Sequence, residues 1–242
     1  MRILVISDIH ANLNALEAVL ADAGSVDATW CLGDLVGYGP DPNECIQRVR
    51  LLPNLVCLIG NHDAAVVDRI DINTFNPEAR QAVWWTQRVL TASNMAYLQS
   101  LPEHQAIDSV TLVHGSPRRP VWEYLLDTTT ATQNFTHFET PYCFVGHSHL
   151  PVIFQLNPGH RYARLLIPDA DQRMSMAPRA ILNPGSVGQP RDRDPRAAYA
   201  IYDPHEGTWE FHRVAYDVSS VQARMQQVEL PLRHIQRLSA GW

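Results

Sequence analysis

Five short apolar segments of the chain each end in side chains that can bind a metal ion or transfer a proton. Several of these endings include a glycine, which lets the backbone pass close to a filled pocket. In an extended segment, residues i and i+2 point to the same side, so Asp8 and His10 can reach one point together, and His147 and His149 have the same spacing. The residues at the five endings are Asp8 with His10, Asp34, Asn61 with His62, His114, and His147 with His149.

A metal site accounts for all five endings together. A single histidine or Gly-Asp pair after a strand is ordinary in a loop, so no ending supports this conclusion alone. If the five strands share one sheet, their ends converge, and burying so many carboxylates and imidazoles without a cation would be costly. Two carboxylates, four imidazoles and one amide oxygen are too many for one tetrahedral ion and fit two ions that share a carboxylate. Nitrogen and oxygen ligands without thiolate favour two divalent transition-metal ions (Mn, Fe, Zn, Ni or Co) over Ca or Mg.

The apolar segments alternate with helical patterns in the first half of the chain, as in a parallel α/β sheet. Asn12 is a plausible cap for the first helix. The expected strands are 2–7, 28–32, 55–59, 110–113 and 142–145, followed by five short antiparallel strands after Pro151. The expected helices are 13–23, 42–52, 128–137 and 219–238, with a helical pair over 77–101. We therefore expect one domain over residues 1–242, with a helical insertion at about 64–103.

Composition excludes several classes of function. The formal net charge is −6, and this acidic balance, without a basic aromatic stripe, argues against binding of extended nucleic acid. All 19 basic residues are arginine, so Schiff-base and P-loop lysines are absent. No apolar run is long enough to span a membrane. Cysteines inside apolar runs indicate a reducing, cytoplasmic location, and the sequence is compatible with a homo-oligomer.

Five motifs occur in a fixed order: D-x-H from Asp8, G-D from Gly33, G-N-H-D from Gly60, H-G from His114 and G-H-x-H from Gly146. Together they resemble the calcineurin-like metallophosphoesterase superfamily. The later stretch 183–191, NPGSVGQPR, resembles the small bacterial and archaeal phosphodiesterase branch that is described as YfcE-like. The resemblance therefore extends over most of the chain.

The resemblance implies an α/β fold, a four-layer α/β/β/α sandwich with mixed sheets and a dinuclear metal centre. Carried over by motif, metal one takes Asp8, His10, Asp34 and His149, and metal two takes Asp34, Asn61, His114 and His147. Asp34 then bridges the two ions, and a hydroxide held between them attacks the phosphorus of a small phosphate ester. His62, offset by one residue from Asn61, faces the substrate and either gives a proton to the leaving group or only orients the substrate.

One segment departs from relatives that are protein phosphatases or diadenosine tetraphosphatases. Their G-D-x-V-D-R-G segment carries an aspartate that orients the catalytic histidine and an arginine that binds phosphate. Gly37 and Tyr38 stand at those two positions here. The departure disfavours both activities and leaves open what orients His62, with Asp63 as one candidate.

Several side chains could contact the substrate. Asn12 could do so, but capping of the following helix is the favoured interpretation. Trp84 and Trp85 are neighbours on a helix and do not share a face, which favours a core position for at least one of them over base stacking. Phosphate binding by arginine and a solvated charged loop are equal alternatives for Arg118, Arg119, Arg191, Arg193 and Arg196.

The function that these observations favour is hydrolysis of phosphodiester bonds in a small substrate. The alternatives are a phosphomonoesterase, a nucleotide or protein phosphatase, a nuclease, and a non-catalytic metal-binding scaffold. A scaffold is disfavoured because no ligand position of the motifs is missing. A membrane partner is not expected.

Overall fold

Two six-stranded β-sheets form the centre of the computed structural model, which describes residues 1–242. Three parallel strands lie on one side of the first sheet: β1 (Ile3–Ile6), β2 (Ala28–Cys31) and β3 (Leu55–Cys57). Its antiparallel side contains β9 (Gln172–Ser175), β11 (Ala197–Asp203) and β12 (Thr208–Val214). The strand order is β3-β2-β1-β11-β12-β9.

The second sheet is also mixed. Its strands are β4 (His104–Ile107), β5 (Val110–Val113), β6 (Tyr142–Phe144), β7 (Pro151–Gln155), β8 (Arg164–Leu166) and β10 (Ala180–Pro184). The order is β4-β5-β6-β10-β7-β8. Strands β5, β6 and β10 are parallel, so their carboxyl ends lie at one edge of this sheet.

Eight α-helices cover the outer faces of the sheets or extend beyond them. They are α1 (Leu13–Ala23), α2 (Pro42–Val49), α3 (Asn61–Val66), α4 (Pro77–Val89), α5 (Ala92–Ser100), α6 (Thr128–Asn134), α7 (Val218–Gln227) and α8 (Leu232–Ala240), with a 3-10 turn at Ile72–Thr74. None of them is long and apolar enough to cross a membrane. The segment between β3 and β4 is helical, as the sequence predicts.

Alternation of side chains along β1 shows how the layers pack. Ile3 and Val5 point into a cluster that also contains Phe144 of the second sheet, so this cluster fills the space between the sheets. Leu4 and Ile6 point the other way and pack against α1, α2 and α3. Helix α6 covers the outer face of the second sheet. The arrangement is the four-layer α/β/β/α sandwich that the resemblance implied.

Three expectations from the sequence are corrected. The five site-bearing strands belong to two sheets and not to one, because β5 and β6 pair with each other and not with β1–β3. The expected final helix is two helices, since the chain turns at Glu229 (φ 57°) and Pro231 cannot continue α7. The short elements β4, β9 and α3 were missed because each is too short for a clear period. All four cysteines are buried and free.

Candidate metal centre

The carboxyl ends of the five site-bearing strands meet at one edge of the sandwich. A Cβ atom on Gly146 would lie 1.9 Å from Ser7 Oγ, so glycine lets the end of β6 touch the end of β1. The backbone N–H of His147 donates to Asp8 Oδ2 at 3.1 Å and ties the two sheets together there. The strand endings that the sequence singles out are therefore brought into one buried volume.

Five side chains at this edge stand on backbone in the left-handed region, which few residues other than glycine adopt. The φ angles are 56° at Asp8, 49° at His10, 55° at Asp34, 64° at His147 and 60° at His149. Such conformations cluster where function dictates the direction of a side chain. Here they turn carboxylates and imidazoles toward a common centre.

One group of candidate ligands consists of Asp8, His10, Asp34 and His149, whose ligand atoms all lie within 4.8 Å of one another. The Nε2 atoms of His10 and His149 are 3.1 Å apart. Asp8 Oδ1 lies 3.3 Å from His149 Nε2, and Asp34 Oδ2 lies 3.6 Å from His10 Nε2. All four residues are buried, as in an enclosed ligand shell.

The second group consists of Asp34, His114 and His147, within the same limit of 4.8 Å. Asp34 Oδ2 lies 3.3 Å from His114 Nε2. Asn61 Oδ1 lies 3.1 Å from the same imidazole nitrogen, so the amide oxygen joins this group. Asp34 is therefore common to both groups.

Each histidine of the two groups uses its other ring nitrogen to contact a backbone carbonyl oxygen. His10 Nδ1 lies 3.1 Å from the carbonyl oxygen of Val36, His114 Nδ1 2.9 Å from that of Leu32, His147 Nε2 3.2 Å from that of Trp122, and His149 Nδ1 2.5 Å from that of Gln189. Such outer contacts fix the tautomer and ring direction of metal-binding histidines. The geometry presents Nε2 of three histidines, and Nδ1 of His147, toward the cluster.

The residues present fit a bound divalent cation. Asp8 Oδ1 and Asp34 Oδ2 are buried carboxylate oxygens without a hydrogen-bond partner, which is costly unless a cation compensates them. Burial lowers the pKa of His10 and of His149 well below the usual value, so both imidazoles are neutral and free to bind a metal. Burial also lowers the pKa of His114, but Asp34 and Asp8 outweigh burial and raise it to about 9. The centre thus carries a negative field that attracts positive charge.

The imidazole ring of His62 lies beside this cluster and packs against three other rings. Its centroid is 4.3 Å from that of Tyr38, and 5.0 Å from those of His10 and Phe75. A Cβ on Gly37 would lie 2.6 Å from His62 Nδ1, so only glycine leaves room for the imidazole. The backbone N–H of His62 donates to Asp34 Oδ1 at 2.8 Å. Burial lowers the pKa of His62 to about 4, so it is neutral at pH 7.

Asp63 does not orient His62, which corrects the candidate role given above. Its Oδ1 accepts from the N–H of Val36 at 3.1 Å, and its Oδ2 accepts from the N–H of Gly60 at 3.0 Å. Both oxygens therefore accept hydrogen bonds from the backbone, one in the loop after β2 and one at the start of α3. The buried Nδ1 of His62 has no hydrogen-bond partner in the protein.

Two of the candidate substrate-binding residues, Asn12 and Arg118, make their polar contacts within the protein instead. Asn12 caps α1 by accepting from the N–H of Ala15 at 3.1 Å and donates to the carbonyl oxygen of Gly188 at 3.0 Å, so its side chain is already occupied. Arg118 forms an ion pair with Glu123 and donates to Gln133 Oε1 at 2.9 Å. Neither side chain is left free for a phosphate.

Arg191 differs from the other candidate arginines. Its guanidinium lies 6.0 Å from the Tyr38 ring centroid, and its positive charge depresses the pKa of His62 and of His149, in both cases less than burial does. Its Nε is buried without a hydrogen-bond partner, although Nη2 donates to Gln189 Oε1 at 3.0 Å. Arg196, in contrast, pairs with Asp194. Of these arginines, Arg191 has the geometry to meet an anion at the cluster.

Sequence reasoning missed three aromatic residues at the site: Phe75, Trp122 and Tyr124. Tyr124 stacks on His147 with ring centroids 3.7 Å apart, and Trp122 contacts Phe75 at 5.3 Å. All three lie in loops, where no periodic pattern distinguishes them. The tryptophans singled out earlier lie on α4, where Trp84 is exposed and Trp85 packs partly into a core cluster.

The chain belongs to the calcineurin-like phosphoesterase superfamily, whose domain profile matches residues 1–207. The fold and the clustered aspartates and histidines agree with this family, and the protein is a metal-dependent phosphoesterase.

An uncharacterized protein of Methanocaldococcus jannaschii, MJ0912, is 36% identical over 247 residues, covering 99% of this chain and 98% of that protein. A metallophosphoesterase from Sphaerobacter thermophilus has a solved structure that is 48% identical, with a TM-score of 0.92 over 100% of this chain and 99% of that one. A symmetrical bis(5'-nucleosyl)-tetraphosphatase of Pectobacterium carotovorum is 31% identical over 104 residues, which span 36% of this chain and 37% of that protein.

Proposed function

We propose that this protein hydrolyses phosphodiester bonds of a small substrate with two divalent transition-metal ions bound at the candidate centre. The observation that carries the proposal is the position of Asp34, which is common to both ligand groups and whose buried Oδ2 has no other partner. One ion would be held by Asp8, His10, Asp34 and His149, and the other by Asp34, Asn61, His114 and His147. The family and the donor set support a metal site but leave the identity of the metal open.

The metal ions and two neighbouring side chains would each act on a different part of the substrate. Two bound ions would supply Lewis-acid charge to the phosphoryl group and an activated water. Arg191 is placed to bind a non-bridging phosphate oxygen through its guanidinium, which faces Tyr38 and is not paired with a carboxylate. His62, neutral at pH 7, is placed to donate a hydrogen bond from its ring N–H to the leaving oxygen and so to stabilise the negative charge that develops there.

The test combines metal analysis with a matched pair of substrates. Purified protein is stripped with chelator, reconstituted with Mn²⁺, Co²⁺ or Zn²⁺, and assayed on bis-p-nitrophenyl phosphate and on p-nitrophenyl phosphate. We expect hydrolysis that requires the metal and a higher kcat/KM for the diester. Faster turnover of the monoester would refute the phosphodiesterase proposal, and no turnover of any ester with loaded protein would favour the non-catalytic scaffold.

We expect His147→Ala and His149→Ala each to weaken a different metal position, because the two imidazoles belong to different ligand groups. After reconstitution and desalting, each variant should retain about one ion fewer per chain than the parent, since each loses one of about four ligands of one ion. Plasma mass spectrometry measures this directly. His137→Ala removes an exposed histidine and serves as the control. A double variant that retains as much metal as either single variant would mean that both histidines bind the same ion.

A nucleotide hydrolase that cleaves phosphoanhydride bonds, and not phosphodiester bonds, is the second candidate, and the local match to the symmetrical bis(5'-nucleosyl)-tetraphosphatase favours it. Gly37 and Tyr38 weigh against it, because the phosphate-binding arginine of that segment is absent. Hydrolysis of diadenosine tetraphosphate at a higher kcat/KM than bis-p-nitrophenyl phosphate would establish this second candidate in place of the first.

A further inference from the structure

Three aromatic side chains lie beside the candidate metal centre, and we call Phe75, Trp122 and Tyr124 the aromatic shelf. Trp122 and Tyr124 are exposed, and Phe75 is half-buried. Phe75 follows the 3-10 turn in the helical segment after β3, whereas Trp122 and Tyr124 lie in the loop between β5 and α6. The shelf is therefore assembled from loops of both sheets. Neither metal binding nor the packing of His62 requires all three rings.

Tyr124 is partly exposed and stacks on a candidate metal ligand. One face of its ring covers His147, with ring centroids 3.7 Å apart and planes inclined by 18°. The residue is nevertheless 45% exposed. Because one face is covered, that exposure falls largely on the outer face and the ring edges. The outer face is an apolar plane directly next to a candidate metal ligand.

Trp122 extends this surface. The residue is 37% exposed, and its edge-to-face contact with Phe75, at 5.3 Å and 68°, covers a face of only one of the two rings. Its backbone carbonyl oxygen lies 3.2 Å from Nε2 of His147, which anchors Trp122 at the centre. The indole centroid is 6.4 Å from that of His147, so the ring lies close to a candidate metal ligand.

A cation completes the surroundings of the shelf. Arg191 donates to Oε1 of Gln189 at 3.0 Å, and the carbonyl oxygen of Gln189 contacts His149. Arg191 also faces the Tyr38 ring at 6.0 Å. Planar apolar surface, a guanidinium with an unpaired Nε and the metal-ligand cluster thus adjoin one another.

We propose that the aromatic shelf binds the nucleobase of a nucleoside phosphoester whose phosphate lies at the metal centre. This inference rests on the proposed function and names the class of substrate that the same site selects. Stacking of a base on an aromatic side chain contributes about 1–3 kcal/mol and tolerates any base, because every base has a π face. The shelf presents flat aromatic rings and few hydrogen-bonding groups. It should therefore favour ligands that carry a base but discriminate weakly between the different bases.

Equilibrium binding to metal-loaded protein tests the proposal without turnover. Isothermal titration compares AMP with the methyl glycoside of ribose 5-phosphate, which keeps the sugar and phosphate but replaces the base by a methoxy group. We expect AMP to bind about 5- to 150-fold more tightly, the range that one stacked base supplies. Trp122→Leu keeps an apolar side chain without a ring plane and should remove much of this difference, whereas Trp122→Phe should retain most of it.

Trp84→Leu is the matched control, since Trp84 is 51% exposed on α4 beside Gln81, Gln87 and Arg88 and lies outside the shelf. It should leave the ratio of the two affinities unchanged. Equal affinities of the wild-type protein for the two ligands would overturn the proposal, even if the Trp122 variants failed to fold. A ratio that Trp122→Leu leaves intact would overturn it as well. Base-dependent binding without hydrolysis of any ester would refute the proposed activity and keep this inference.

Discussion

Asp34→Asn should abolish hydrolysis of bis-p-nitrophenyl phosphate, with a loss of at least ~10³-fold in kcat, because it disturbs both metal positions at once. Asp34 Oδ2 lies 3.6 Å from His10 Nε2 and 3.3 Å from His114 Nε2, between the two ligand groups. Asparagine has nearly the same shape but no charge, and it places a donor or a weak acceptor there. Metal analysis of the reconstituted variant should show depletion at both positions rather than one.

Asp63→Asn is the matched control for this variant. Asp63 is equally buried and close to the centre, but its two oxygens accept from the backbone N–H groups of Val36 and Gly60. We expect this variant to lose about 1–3 kcal/mol of stability, since one backbone donor then faces an amide N–H₂ group. Its metal content should exceed that of Asp34→Asn. If Asp34→Asn keeps two ions and full activity, the bridging role is wrong.

His62→Ala should lower kcat for an alkyl phosphodiester by about 10²- to 10⁴-fold while leaving the metal content unchanged. His62 faces the cluster but belongs to neither ligand group. Its neighbours are the rings of Tyr38, Phe75 and His10, so its removal leaves the candidate ligands in place. Steady-state kinetics together with metal analysis separates this effect from loss of an ion.

The leaving group then distinguishes proton donation from simple orientation of the substrate by His62. If His62 donates a proton, an ester with a nitrophenolate leaving group should suffer less from His62→Ala than an alkyl ester, because nitrophenolate departs without protonation. Equal losses for both esters would show that His62 only orients the substrate. His234→Ala removes another buried histidine, whose ring centroid lies 4.4 Å from that of Tyr38, and controls for loss of packing near His62.

The candidate ligands could be predicted from the sequence because their chemistry and their position after strands are both local features. Asp8, Asp34 and His149 each follow an apolar run, and the structure brings all three together. The division of the strands between two sheets could not be predicted from those runs, because a buried strand has the same apolar pattern in either sheet.

Other features of the site could not be predicted because they depend on packing between residues that are distant in the sequence. The ring of Tyr38 packs beside His62, whose neighbours the sequence left open, and nothing local to Tyr38 indicates that contact. Trp122 and Tyr124 reach the site from a loop without a period. The break before α8 had a local signal in Pro231, which the continuous helical pattern obscured.

The left-handed backbone at five candidate ligands has a consequence for the evolutionary history of the family. A non-glycine residue in that region costs roughly 1–2 kcal/mol, although aspartate and histidine tolerate it better than most. A lineage that still binds metal must keep Asp8, His10, Asp34, His147 and His149 despite that cost. A lineage that has abandoned the metal is free to drift toward glycine or asparagine, which the same backbone accommodates more easily. The residues found at these five positions in a descendant therefore record whether selection for the ion has persisted.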